Sequence, residues 1–296
     1  MADFPPTSVF PNTGAFEAKH VRDANQLALI ELSGNYNKRL PNDAVNIEPR
    51  TVVAKEFFRT HQDRYDFVVV FTNFEFETND ALAFHIGVQN KVKGLGIPEF
   101  DHSGYYGSAY RLQGYIDMAA LSRYVTNPFD ARFDQVLSVF AHEFLHQFGA
   151  KTRFRQNGGD PSSALLGKEG SHWSFLLDSG ASVEYGNQWR DNGNGTFTSV
   201  ANRQFFSPLD LYLMGMNKKE EVPPFFLIQN PDIDAARLLT NDVTIAGTRL
   251  NLTIDDVVAA EGPAFPMPTM PRRSSVWALC CCRVPARRRR TPSSSR

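Results

Sequence analysis

The chain has 296 residues, of which 42% are hydrophobic and 12% aromatic, so it can bury a sizeable core, which excludes an intrinsically disordered protein. The formal net charge is −1, but residues 267–296 contain eight arginines and no acidic side chain. Residues 1–266 therefore contain 23 basic and 32 acidic side chains, a net charge of −9, which argues against a nucleic-acid-binding surface. Neither a membrane-spanning run of eighteen apolar residues nor a signal peptide is predicted.

The first half of the chain is predicted to contain both strands and helices. Residues 1–46 are punctuated by Pro and Asn and are predicted to be an irregular lead-in, with one candidate strand. In chain order, the predicted elements are a strand at 27–32, a helix at 48–61, strands at 65–72, 81–88 and 114–119, and a helix at 128–148. The 65–72 segment is rich in β-branched and aromatic residues, which is typical of a buried central strand.

The helix predicted at 128–148 is amphipathic. Between Phe133 and Phe148 the apolar residues follow the i, i+3, i+4, i+7 series of a helix with one buried stripe. Asn127 followed by proline is a typical start signal, and Gly149 is a typical stop signal. Projected at about 100° per residue, the stripe lies opposite His142, and His146 falls near His142, so both histidines are expected to face a cleft.

Within this helix, residues 142–146 read His-Glu-Phe-Leu-His. Residues four apart lie one above the other on a helix, so His142 and His146 can present two imidazoles to a single ion. Glu143 can reach a water molecule on that ion, which is the arrangement of a zinc peptidase. The alternative is that both histidines are solvent-facing residues of an ordinary amphipathic helix.

The third protein ligand of such a zinc ion has to come from elsewhere, because a catalytic zinc takes three protein ligands and keeps the fourth position for water. The compact spacing of this motif would place a histidine at residue 152, where the chain has Thr152. The downstream candidates are His172, Glu169, Asp178 and Glu184. His172 is the last histidine of the chain and is favoured; Glu169 would give the thermolysin-like set, and a structural histidine beside Trp173 is the alternative.

The segment His-Glu-Phe-Leu-His-Gln-Phe-Gly resembles the metzincin zinc peptidases, and a late histidine followed by Trp resembles their leishmanolysin-type branch. Residues 182–186 are similar to the methionine-containing turn of that branch, with Glu184 at the methionine position. The resemblance covers about residues 65–225 and is specific at 142–149 and 172–186.

The resemblance implies an α+β, zincin-like fold, in which a mixed twisted sheet backs the active-site helix. An upper lobe would span residues 47–150, and a smaller irregular lobe, residues 151–266, would supply the third ligand. Such peptidases usually act outside the cytoplasm, so a secreted protein is implied. The composition changes abruptly after Pro266, and residues 267–296 are predicted to be a disordered tail. The hypothesis drawn from this change is that the tail is an out-of-frame or truncated, non-native end.

The function implied is that of a zinc-dependent endopeptidase acting on a protein or peptide substrate. Zn²⁺ would be bound by His142, His146 and His172, with Glu143 as the general base. Tyr185 would stabilise the oxyanion, a role that rests on the resemblance of its segment. Because the cysteines are confined to Cys280, Cys281 and Cys282 in the tail, no thiolate ligand is expected.

Four questions stay open at this point. Asp178 or Asp210 is expected to orient a ligand imidazole, while Glu184 can ligate the metal, form a hydrogen bond with one of the metal ligands, or mark a weakened site. An extended substrate is expected to pair with an edge strand within residues 81–112. The rival functions are a catalytically inactive peptidase-like binding module and a metal-free structural or adhesion protein.

Overall fold

The computed structural model describes residues 16–25, 27–41, 44–78, 81–201, 205–234, 241–264 and 277–283. The strands of this part of the chain are β1 (Glu17–Ala24), β2 (Leu27–Ser33), β3 (Phe67–Thr72), β4 (Phe84–Gly87), β5 (Gln89–Asn90), β6 (Phe100–Asp101), β7 (Gly114–Ala120), β8 (Trp173–Asp178), β9 (Tyr185–Asp191), β10 (Thr196–Ala201), β11 (Phe225–Gln229), β12 (Thr244–Ala246), β13 (Thr248–Leu252) and β14 (Trp277–Arg283). The α-helices are α1 (Glu48–Thr60), α2 (Phe133–Leu145), α3 (Pro208–Leu213) and α4 (Ile254–Glu261). The chain is therefore α+β. None of the helices in these residues could span a membrane.

The first sheet has the strand order β1-β2-β14-β3-β7-β4 within the described residues. Its four inner strands run parallel to one another, whereas β1 and β4 are antiparallel edge strands. Successive residues of a strand face opposite sides of a sheet. Accordingly, Val68 and Val70 pack with the α1 residue Phe57 on one face, while Phe67 and Val69 pack with α2 on the other. The predicted strands at 65–72, 81–88 and 114–119 thus form one sheet that backs α2.

The helix that carries the His-Glu-x-x-His motif is shorter than predicted. The sequence predicts a helix over 128–148, and α2 spans Phe133–Leu145. At the start, Asn127 accepts hydrogen bonds from the backbone N–H groups of Phe129 and Asp130, which closes a turn that precedes the helix. At the end, Gln147 and Phe148 donate to carbonyls three residues earlier, so the chain leaves α2 through tighter turns.

Two predictions about the ends of the chain need correction. The lead-in is not irregular over residues 17–33, since β1 forms a hairpin with β2 there. The tail is not disordered over residues 277–283, because β14 lies between β2 and β3 and buries Cys280 and Cys282. The polar composition of the thirty-residue tail concealed a short apolar run that fits a central strand. Residues 1–15 and the other tail residues lie outside the described part of the chain.

A second sheet lies in the region after residue 150, which the sequence predicts to be an irregular lobe. Its strand order among the described residues is β12-β10-β9-β8-β11-β13, with β8 and β9 parallel and the other pairs antiparallel. Trp173, Leu177 and Leu227 contribute to its core together with residues of α3 and α4. The loop between α2 and β8 leads directly to the candidate site.

Candidate metal centre

The two histidines of the motif converge at the end of α2. His142 lies in the last turn, and His146 is the C-cap residue, whose backbone is still helical with φ −54° and ψ −19°. Because helical geometry continues to this cap, the two side chains stay next to each other, with their rings edge to face and the ring centroids 4.8 Å apart. The apolar side of the helix is held to the sheet by Phe144, whose ring lies 5.0 Å from that of Phe67.

The third histidine, His172, reaches the same point from the residue before β8. Its Nε2 atom lies 3.2 Å from Nε2 of His142. One nitrogen from each of His142, His146 and His172 lies within 4.8 Å of the other two. Zn–N bonds of about 2.0–2.1 Å in a tetrahedron separate two ligand nitrogens by about 3.3 Å. The spacing of the His142 and His172 nitrogens therefore fits a pair of ligands on one small divalent cation.

A single turn between β8 and β9 supports the imidazoles of α2. The carbonyl oxygen of Val183 lies 2.6 Å from Nδ1 of His142. Since a carbonyl only accepts, Nδ1 of His142 carries the hydrogen and Nε2 keeps its lone pair for a cation. In the next residue, Oε1 of Glu184 lies 3.0 Å from Nδ1 of His146. The turn thus orients both rings with their Nε2 atoms available.

Glu184 is fully buried, and neither of its oxygens has a geometrically aligned hydrogen bond. Oε1 of Glu184 is close to Nδ1 of His146, but the pair lacks hydrogen-bond geometry, so the two groups interact through their charges. Burial raises the pKa of Glu184 well above its usual value and lowers the pKa of His146 to about 3. A buried carboxyl without hydrogen bonds costs free energy unless positive charge lies nearby. A cation bound to His146 would supply that charge through the carboxylate–histidine pair.

Glu143 is 6% exposed and lies beside the first histidine. Burial, with the nearby Glu184 as the next cause, raises the pKa of Glu143 to about 8, while a hydrogen bond from the backbone N–H of His85 opposes that shift. A divalent cation on the histidines would lower this pKa again, since it favours the ionised carboxylate. The group is therefore suited to exchanging a proton near neutral pH.

Tyr185 lies over the histidines, with its ring centroid 4.8 Å from that of His172 and 5.7 Å from that of His142. Its backbone has φ +70°, and Ala181 in the same segment has φ +68°. Such left-handed conformations are uncommon for residues with a Cβ and cluster at functional sites. The structure brings Tyr185 to the site; its role as an oxyanion donor stays a prediction.

The other acidic candidates are not grouped with the three histidines. Glu169 is exposed, and its backbone is left-handed with φ +58°. Asp178 accepts a hydrogen bond from the backbone of Trp189, and Asp210 accepts one of 2.8 Å from the indole of Trp173. The expectation that Asp178 or Asp210 orients a ligand imidazole is therefore wrong, because Glu184 contacts His146 and Asp210 fixes the residue after His172.

Sequence reasoning missed two supports of the site. The carbonyl of Val183 carries no side-chain signal, so no pattern could reveal its contact with His142. Gln147 donates to the backbone of Gln89 at 2.8 Å and lies 3.2 Å from the ring of His85, which ties the end of α2 to the edge of the first sheet. A polar residue directly after the second histidine was the available signal.

Comparison of this chain with protein-family models, with curated proteins and with solved structures finds no match. The functional interpretation therefore depends on the residues of the site and their geometry.

Proposed function

We propose that this protein is a zinc-dependent endopeptidase of the metzincin type. The observation that carries the proposal is the convergence of His142, His146 and His172 beside the buried carboxyl of Glu143. Three imidazoles and one adjacent carboxyl are the donor set of a catalytic zinc site with an open position. The mixed sheet that backs α2, with its antiparallel edge strand β4, supports the further proposal of a zincin-like upper lobe.

The chemistry follows from the roles of the side chains. When bound, Zn²⁺ would supply Lewis-acid polarisation of the scissile carbonyl and would lower the pKa of a water molecule. Glu143 would accept the proton of that water and deliver it to the leaving amine. Tyr185, beside His172 and His142, would donate a hydrogen bond to the oxyanion. Val183 and Glu184 would hold the two imidazoles of α2 in position.

The substrate would bind along β4, the edge strand nearest to α2. No strand pairs with the outer side of β4 among the described residues, and its inner side pairs with β7. An extended peptide can add to such an edge through backbone hydrogen bonds. Since the N–H of His85 in this strand donates to Glu143, the peptide would lie next to the proposed base. Because the His-Glu-x-x-His segment resembles the metzincin peptidases, which usually act outside the cytoplasm, we propose the same location for this protein.

Removal of metal tests the proposal. The purified protein, incubated with zinc, is expected to cleave a fluorogenic peptide library, and 1,10-phenanthroline is expected to abolish cleavage because it removes the Lewis acid. Added Zn²⁺ should restore the original rate. A protein that holds zinc at the three histidines yet cleaves no peptide would contradict the proposal and favour a binding module, as would cleavage that survives complete loss of metal.

Replacement of Glu184 by glutamine is expected to weaken zinc binding by about 10–100-fold, because the imidazole of His146 would lose its carboxylate partner. Competition with a chromophoric chelator measures this change in Kd. Glu169→Gln is the matched control and should leave Kd unchanged. A larger loss of zinc affinity in Glu169→Gln than in Glu184→Gln would show that the thermolysin-like ligand set is correct.

A further inference from the structure

A second cluster of metal-binding side chains lies on the α1 side of the first sheet, away from the candidate centre. Nε2 of His20 lies 2.8 Å from Oδ1 of Asp23, and Nε2 of His61 lies 3.2 Å from the same oxygen. The two imidazole rings meet edge to face with centroids 5.3 Å apart. One donor atom from each of these residues lies within 4.8 Å of the other two.

The cluster depends on an irregularity in β1. Residues three apart in a regular strand face opposite sides of the sheet. In the β1–β2 hairpin the pairing moves from His20 opposite Ile30 to Arg22 opposite Leu29, so Val21 is an extra residue in a β-bulge. The bulge brings His20 and Asp23 to the same face, and that face packs against α1. Bulges commonly re-aim side chains next to functional sites.

The helix supplies the third member in a fixed orientation. His61 is the C-cap residue of α1, and its Nδ1 lies 2.9 Å from the carbonyl oxygen of Phe57, while its ring stacks on the Phe57 ring at 4.1 Å. The Thr60 hydroxyl also lies 2.9 Å from this Nδ1, so both contacts hold the ring with its Nε2 atom toward Asp23. Nε2 of His61 and Oδ1 of Asp23, 3.2 Å apart, are therefore placed so that both can be ligands of one cation.

We propose that His20, Asp23 and His61 form a second binding site for a divalent transition-metal ion, separate from the proposed catalytic centre. Two imidazoles and one carboxylate suit Zn²⁺, Ni²⁺ or Cu²⁺ rather than Mg²⁺ or Ca²⁺. The hydrogen bond from Nδ1 of His61 to a backbone carbonyl is the usual support of a metal-ligating histidine. The imidazole side chains are only 17% and 16% exposed, whereas Asp23 is 53% exposed, which leaves coordination positions for water.

A cation at this site would connect two elements. The β1–β2 hairpin supplies His20 and Asp23, and the end of α1 supplies His61. The backbone N–H of His20 already donates a 2.6 Å hydrogen bond to Glu56 of α1, so the hairpin and helix are held in register before the metal binds. The metal would therefore stabilise the native state over the unfolded chain.

Zinc stoichiometry, measured by equilibrium dialysis followed by elemental analysis, tests this site. The wild-type protein is expected to bind one equivalent more than the His61→Ala variant, and Asp23→Asn is expected to weaken that equivalent by more than about tenfold. Because Asp23 is largely exposed, this variant keeps the fold even if His61→Ala is destabilised. His102→Ala is the control and should keep every equivalent.

The zinc equivalent bound at this second site can be distinguished from the one bound at the proposed catalytic centre. His142→Ala removes the other site and is expected to retain the equivalent that His61→Ala loses. Equal zinc contents in the wild-type, His61→Ala and Asp23→Asn proteins would overturn the proposal. So would an equal loss in His102→Ala, because binding would then be adventitious.

Discussion

Replacing Glu143 with glutamine is expected to lower kcat/KM for peptide hydrolysis by about 10²–10⁴-fold while the zinc content stays unchanged. Glutamine has nearly the same shape as glutamate, but its amide cannot take a proton from water or return one to a leaving amine. Glu143 is buried, and burial raises the pKa of its carboxyl to about 8. Removing a carboxyl whose charged form is penalised by burial should not destabilise the metal-free protein.

The matched control for Glu143 is Asp134→Asn, which changes an exposed carboxylate in the first turn of the same helix. This control should hydrolyse peptides at the wild-type rate. Both variants should bind zinc with the wild-type Kd, measured by chelator competition. Hydrolysis within a few-fold of wild type in a purified, zinc-loaded Glu143→Gln protein would show that another group is the base.

The Asp117→Ala variant is expected to unfold with a free energy lower by about 3–5 kcal/mol, since it breaks a fully buried ion pair. Nε of Arg50 lies 3.0 Å from Oδ2 of Asp117, and both side chains have no exposed surface. The hydroxyl of Tyr36 donates to the same oxygen at 2.8 Å, and the Arg50 guanidinium lies 4.0 Å from the Tyr36 ring centroid. Truncation of Asp117 leaves this guanidinium buried without its carboxylate.

Urea unfolding followed by circular dichroism measures the change. The contrast variant is Arg132→Ala, which removes an exposed ion pair with Asp130 and is expected to change stability far less. Because α1 carries Arg50 and β7 carries Asp117, the pair locks that helix to the sheet that backs α2. If the free energy of unfolding fell no further in Asp117→Ala than in Arg132→Ala, this account of the core would be contradicted.

Local periodicity was sufficient to predict the part of the site that lies on one helix. The four-residue spacing predicts the convergence of His142 and His146, and their ring centroids lie 4.8 Å apart. The predicted apolar stripe is buried only in part, since Phe140 and Phe144 pack against the sheet while Leu137 is exposed. The favoured late histidine, His172, lies with them in the structure. That position could be inferred from residue type, since His172 follows the motif as the last histidine of the chain.

The contacts that depend on tertiary structure could not be predicted. Glu184 reaches His146 only because left-handed residues fold the β8–β9 connection back under α2, and the sequence alone left three roles open for this carboxylate. The cluster of His20, Asp23 and His61 depends on a bulge, which no alternation pattern reveals. Likewise, β14 was hidden by the arginines and prolines that surround its seven residues.

X-ray absorption at the zinc K-edge tests the central claim most directly. The sample is a His61→Ala protein loaded with one equivalent of zinc, so that the second site does not contribute. We predict nitrogen and oxygen ligands at about 2.0–2.1 Å with the scattering pattern of three imidazoles, and loss of bound zinc when His172 is also replaced by alanine. A protein that retains no zinc, or a spectrum unchanged by the His172→Ala substitution, would contradict the account.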